Sequence, residues 1–179
     1  MRQNNRDSIL DAAVRVINRD GLTAITFDTV AREAGVTRGG MLYHFGSRDE
    51  LILAINQYLA DQWEANLLKT AGKPFEQTTI EERRRAYVGA SLRASRAELL
   101  FLLEFQKDRT MSAPWARLIE AWSVPEPLAS GDEAELVRFI ARLAADGLWA
   151  YEYVSGRPMQ PALRKQVSER LVQLLGTSG

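Results

Sequence analysis

Apolar residues recur along almost the whole chain at the three- and four-residue spacing of amphipathic helices, with no two-residue alternation of the strand type. Ile9, Ala13, Val16 and Ile17, flanked by Leu10 and Val14, form the first stripe, and Gly21 supplies a left-handed stop. A short second helix is expected from about Asp28 to Ala34, capped by Thr26 and burying Phe27, Val30, Ala31 and Ala34. Gly35 closes it, and Thr37 caps a third from Arg38 to about Phe45. Ser47 and Glu50 have capping-box spacing and open a long helix with the buried face Leu51, Ile55, Leu59, Trp63 and Leu67. "GKPFEQTT" interrupts the pattern. Thr79 with Glu82 restarts it through about Ala94, and Ser95 with Glu98 makes another capping box before the apolar run "LLFLLEF". A shorter helix near Pro114 carries Trp115, Leu118, Ile119 and Trp122, and "VPEPLASG" reads as a loop.

The last two helices read as a pair. Asp132 and Glu135 start one that shows Leu136, Ile140, Leu143, Gly147, Tyr151 and Val154 on one stripe. Gly156 and Pro158 turn the chain, and Leu163, Val167, Leu171 and Leu174 line the other. The expected fold class is all-α with about nine helices. An N-terminal three-helix bundle with a helix-turn-helix spans 1–47, and a helical domain spans 48–179.

The second and third helices carry the candidate chemistry. Small Ala31 permits a close crossing, Gly35 accepts the turn, and Val36 plugs the core beneath it. Thr37 and Arg38 open the third helix, where free amides and a cation suit phosphate or a guanine edge. Gly39 and Gly40 weaken that helix by roughly 1 kcal/mol each relative to Ala, and what they offer in return is close backbone approach. Met41, Leu42 and Phe45 are expected to face the core, with Tyr43 and His44 outward, able to donate to phosphate oxygens. Arg48 adds a cation at the next helix start, and Thr26 offers a phosphate contact from the second helix. Each feature alone has an ordinary explanation, since Gly-Gly is commonly a loop and a single His is commonly a surface residue. Their ordered combination points to double-stranded DNA.

The stretch "ILDAAVRVINRDGLTAITFDTVAREAGVTRGGMLYHFGSRDELILAI" resembles the N-terminal domain of the tetracycline-repressor-like (TetR) family of bacterial regulators. The shared features are a helix ending in Gly, a Thr-led second helix, the Ala-Gly-Val-Thr turn and the Tyr-His-Phe close. The likeness implies recognition-helix positions for Thr37, Arg38 and Gly39, phosphate contacts for Tyr43 and His44, and a helix-four cation at Arg48. Arg48 stands where a Lys is usual, and Leu42 where an aromatic is common, which puts one phosphate contact in doubt. The resemblance further implies a homodimer on a palindromic operator, paired through the last two helices.

Composition adjusts this picture little. The chain of 179 residues balances 23 basic against 23 acidic side chains, so any nucleic-acid contact is local. Residues 1–48 hold seven arginines against five acids, a slight positive bias. Without cysteine there is no disulfide or thiolate metal site, and no apolar run is long enough for a leader or a membrane span. A cytoplasmic protein with no membrane partner, metal or cofactor is expected.

In the C-terminal part, Leu136, Ile140, Leu143, Gly147, Tyr151, Leu163, Val167, Leu171 and Leu174 are the candidate dimer interface, with a monomer core as the alternative. A small-molecule effector, apolar or aromatic, would bind among the middle helices. The candidate lining is Trp63, Tyr87, Phe101, Glu104, Phe105, Trp115, Trp122 and Trp149, although aromatics at this spacing commonly serve as core. Glu104 could meet a cationic ligand or pair with Arg85 or Arg93. "RRR" at 83–85 follows two glutamates and reads as a solvated face. An enzyme is disfavoured: one His, no HExxH and no phosphate-binding glycine loop are present. A helical adaptor acting through protein partners is the other rival.

Overall fold

Residues 5–91, 93–128 and 132–176 are described by the computed structural model, with the side chain of Trp149 outside the described set. Nine α-helices and two short 3-10 turns account for most of the described residues, and no strand occurs among them. The helices are α1 Asn5–Asp20, α2 Phe27–Ala34, α3 Arg38–His44, α4 Arg48–Ala71, α5 Ile80–Ser91, α6 Arg96–Glu104, α7 Arg109–Trp122, α8 Glu133–Ser155 and α9 Pro161–Gly176. They form two compact units, Met1–Gln62 with Ser95–Pro114, and Trp63–Ala94 with Trp115–Gly179.

In the first unit, α1 buries Ile9, Leu10, Ala12, Ala13, Val16 and Ile17, the stripe its spacing predicts. It packs on α2 and on α6. Polar ties fix both neighbours. Glu33 of α2 accepts from Arg15 Nε at 2.9 Å and from Arg19 Nη1 at 3.0 Å, and these two hydrogen bonds hold its carboxyl below the ordinary range. The α6 start is held by Ala97 N–H, which donates to Asn18 Oδ1 at 2.9 Å. Tyr58 of α4 donates to Asp11, and burial together with that bond pushes the phenol up to about 12.

Three helix starts follow their sequence signatures. Thr26 caps α2 in a reciprocal box with Thr29, Thr79 and Glu82 cap α5 for each other, and Ser95 with Glu98 does the same for α6. At α4 the box is altered. Ser47 Oγ accepts from Glu50 N–H at 3.1 Å, but Glu50 Oε2 reaches one residue further back, to Gly46 N–H at 2.8 Å.

The structure sharpens two helix bounds. The helix expected near Pro114 is α7, which begins at Arg109, with Asp108 Oδ1 accepting from the amides of Thr110 and Met111, and carries Pro114 inside it. There it removes one backbone donor. α5 ends at Ser91, short of Ala94.

In the second unit α5, α8 and α9 pack together. Val88, Val124, Ala141, Ala145, Leu171 and Leu175 make its core, with Phe139, Val167 and Leu174 packed against it. Leu171, expected on a dimer stripe, is therefore a core residue, only 6% exposed, and Val167 and Leu174 also lean inward. Leu136, Ile140, Leu143, Gly147, Tyr151 and Leu163 are exposed. α9 thus spends Leu171, and in part Val167 and Leu174, on packing within its own unit.

Candidate DNA-binding surface

The surface is built by α2, α3 and the first turn of α4. Gly35 ends α2 in the left-handed region, φ 69°, and its amide closes back on Ala31 and Arg32. Thr37 then caps α3 by accepting from Gly40 N–H at 3.1 Å. Two helices of eight and seven residues joined by this turn are the helix-turn-helix arrangement, in which the second helix enters the major groove.

Met41 and Phe45 are fully buried and anchor α3. Leu42, expected beside them, is 50% exposed. The reason is helical geometry. Leu42 stands one turn after Arg38 and shares its outward face, a relation that the i, i+4 spacing already contains. Tyr43 is 86% exposed, and half-buried His44 meets its ring edge-on at 5.1 Å between centroids.

The glycines carry information of their own. A Cβ built at Gly39 would meet nothing nearer than Thr37 Oγ1 at 3.8 Å, and one at Gly40 meets the same atom at 3.5 Å. The packing of the subunit therefore requires neither glycine, although both weaken the helix relative to Ala. Arg48 donates from Nε to the Ile25 carbonyl at 2.9 Å, which ties the start of α4 to the segment leading into Thr26. The structure thus gathers Thr26, Thr37, Arg38, Gly39, Gly40, Tyr43, His44 and Arg48 in these three adjoining elements of the first unit. Sequence reading overlooked Asp28, whose carboxylate meets Arg38 Nη1 at 3.2 Å.

The expected pocket residues are divided between the two units. Trp63, Tyr87 and Trp115 form one aromatic cluster of the second unit, with centroids at 5.6 and 5.9 Å, and all three are buried. Trp122 is buried against Phe75, in a wall of a cavity of about 260 Å³ that Glu64, Arg117 and Leu118 also line. Phe101 is a core residue of the first unit, in contact with Phe105. Glu104 and Phe105 line another cavity there, of about 250 Å³, with Arg48, Asp49 and Ile52. Arg93 donates to Thr70, and Arg83 of the "RRR" run stacks on Phe75 at 3.9 Å instead of standing in solvent. Trp149 lies outside the described side chains.

No helix among the described residues is long and apolar enough to cross a membrane. Residues 9–55 match the model of bacterial regulatory proteins of the tetR family, and residues 81–176 match the tetracyclin repressor-like C-terminal domain. The HTH-type transcriptional regulator BetI of Paraburkholderia phytofirmans is 26% identical over 98% of this chain and 95% of that protein. SrpR of Pseudomonas putida, also an HTH-type transcriptional regulator, is 40% identical over 30% of this chain and 25% of its own length. Among solved structures, a transcriptional regulator from a Rhodococcus species has a TM-score of 0.65 at 18% identity, covering 97% of this chain and 95% of the other. The multidrug binding protein EbrR, complexed with imidazole, has a TM-score of 0.57 at 22% identity, covering 99% and 98%. The two family matches together take in both the helix-turn-helix and the helices that follow it, so the chain belongs to the TetR family and is a DNA-binding transcriptional regulator.

Proposed function

We propose that the protein is a cytoplasmic dimeric repressor that places two copies of α3 in successive major grooves of a palindromic operator and leaves when a small molecule binds. The observation that carries the DNA contact is the outward face of α3. Arg38, Gly39 and Tyr43 stand exposed, and Gly40 half-exposed, on a helix whose packing does not need the glycines. Thr37 and Arg38 read or approach base edges, and Thr26, Tyr43, His44 and Arg48 hold phosphates on either side. Two-fold symmetry follows from the exposed apolar residues Leu136, Ile140, Leu143, Tyr151 and Leu163, which a second copy would cover.

The effector is assigned to the second unit, at the cavity beside Phe75 and Trp122. Leu118 and Trp122 of α7 with Phe75 form its apolar wall. Arg117, paired with Glu64 at 3.6 Å, shares the rim with Glu76, so the cavity suits an aromatic ligand that stacks on the apolar wall. The solved complexes of EbrR with imidazole and with malachite green support an aromatic ligand. Release requires only that the ligand prefer the DNA-incompetent state, typically by about 1–3 kcal/mol, or 5- to 150-fold in operator affinity. Titrating the protein–operator complex with aromatic amines and dyes, read by fluorescence anisotropy, tests this. A ligand-dependent loss of that size is expected, and operator affinity indifferent to every such ligand contradicts the switch.

A further inference from the structure

Asp28 and Arg38 meet across the turn of the helix-turn-helix. Both Asp28 carboxylate oxygens accept from Arg38 Nη1, each at 3.2 Å, while the two side chains remain 70% and 66% exposed. An exposed pair of this kind adds little to fold stability, because solvent screens the attraction and ordering two side chains costs entropy. Its consequence is geometric. Arg38 is the first residue of α3, and a long, many-jointed side chain there has no preceding helical turn to lie against. Asp28 has a short side chain on the first turn of α2, and α2 is fixed to α1 through Glu33, Arg15 and Arg19. The carboxylate is thus the steadier of the two partners.

The grip is also one-sided. Only Nη1 contacts Asp28, so the side-on fork made by Nε and Nη2 is not occupied by it. That fork has the spacing of the O6 and N7 acceptors of guanine. A carboxylate on a surface that must approach phosphates carries an electrostatic cost as well, and a residue kept only for charge would not be acidic there.

We propose that Asp28 is a specificity-determining positioning residue: it holds Arg38 by Nη1 and so presents the opposite fork to one guanine in each half-site. The proposal rests on α3 facing the groove, as set out above. It makes base preference and overall affinity move in opposite directions. Removing Asp28 frees the arginine to find phosphates, which lowers discrimination and leaves general DNA affinity unchanged or raised.

The test uses the full-length protein and DNA selected from a randomised duplex pool, with the selected site and its single-base variants then titrated at fixed salt. Arg38→Ala should relax preference at one symmetry-related pair of positions, by roughly 5- to 150-fold if a bidentate contact is lost. Asp28→Ala should relax the same positions by a comparable factor, with binding to random duplex equal or tighter. Asp28→Asn, whose amide oxygen still accepts from Nη1, should keep part of the discrimination, and the double Ala variant should match Arg38→Ala alone. Asp28→Ala with full discrimination at those positions overturns the proposal. So does a loss at different positions, or a uniform loss on all sequences accompanied by a lower melting temperature. A wild-type protein that enriches no sequence, or an Arg38→Ala variant of unaltered preference, removes α3 from the groove and the proposal with it.

Discussion

Gly39 is the residue whose replacement separates folding from function most sharply. Its backbone is helical and a Cβ would meet only ordinary contacts, so Gly39→Ala should stabilise the free protein by about 1 kcal/mol. The same methyl group would stand between helix and duplex, so operator affinity should fall while the melting temperature rises. Calorimetry and a binding titration on one preparation check both signs, and a variant that gains or loses in both would show that α3 does not approach DNA closely. Gly35 differs, because its φ of 69° makes any side chain there strained whatever the space. At this scale the sequence disclosed the caps and the turn that shape α2 and α3, because these are local devices. Leu42 and Asp28 escaped for different reasons. Leu42 was judged by its hydrophobicity when its helical phase relative to Arg38 set its direction, and Asp28 gains its meaning from a residue ten positions away.

Among the elements, α6 joins capping to titration. Glu98 is almost wholly buried, and burial pushes its carboxyl above the ordinary 4.5, against the opposing pull of the Ser95 amide and hydroxyl. A raised native pKa means that the contribution of Glu98 to stability is whole below the unfolded value and is lost as pH rises through the native one. Glu98→Gln keeps an oxygen for the Ser95 amide and removes the buried charge. The variant should therefore melt higher than wild type at pH 7, with the difference shrinking or reversing near pH 4. A wild-type advantage at neutral pH would mean that the charged cap outweighs its desolvation. Glu82 works the other way: hydrogen bonds from Lys73 and the Thr79 amide hold it at about 2, so what it adds is whole above the unfolded value of 4.5 and is lost progressively as pH falls from there through about 2. Helix starts were legible wherever a Thr or Ser stood three residues before an acid. The start of α7 carries no such pair: Asp108 caps it alone, accepting from the amides of Thr110 and Met111.

For the whole molecule, the outward face of α8 decides whether one chain or two constitute the regulator. Gly147 lies on that face with nothing within 4 Å of a built Cβ, so a bulky side chain fits the subunit as it stands. Gly147→Arg should leave the melting of the isolated subunit nearly unchanged and shift sedimentation from dimer to monomer, because the new charge would be buried against its copy. An undisturbed dimer would place the pairing elsewhere. The stripes themselves were legible from sequence. Periodicity marked apolar stripes on α8 and α9, but could not tell the stripe of α9 that serves α5 and α8 from one left for a partner. Likewise, aromatic residues at helical spacing could not be sorted into core and cavity, since both bury the same side chains.

The central claim is that two copies of α3 read two half-sites at once, and hydroxyl-radical footprinting of the wild-type protein on its selected DNA tests it most directly. Two protected patches related by a dyad, with centres about one helical turn or roughly 34–36 Å apart, are the predicted result. A single protected patch, or two patches that survive when Tyr43 and Arg38 are both replaced by Ala, would contradict it.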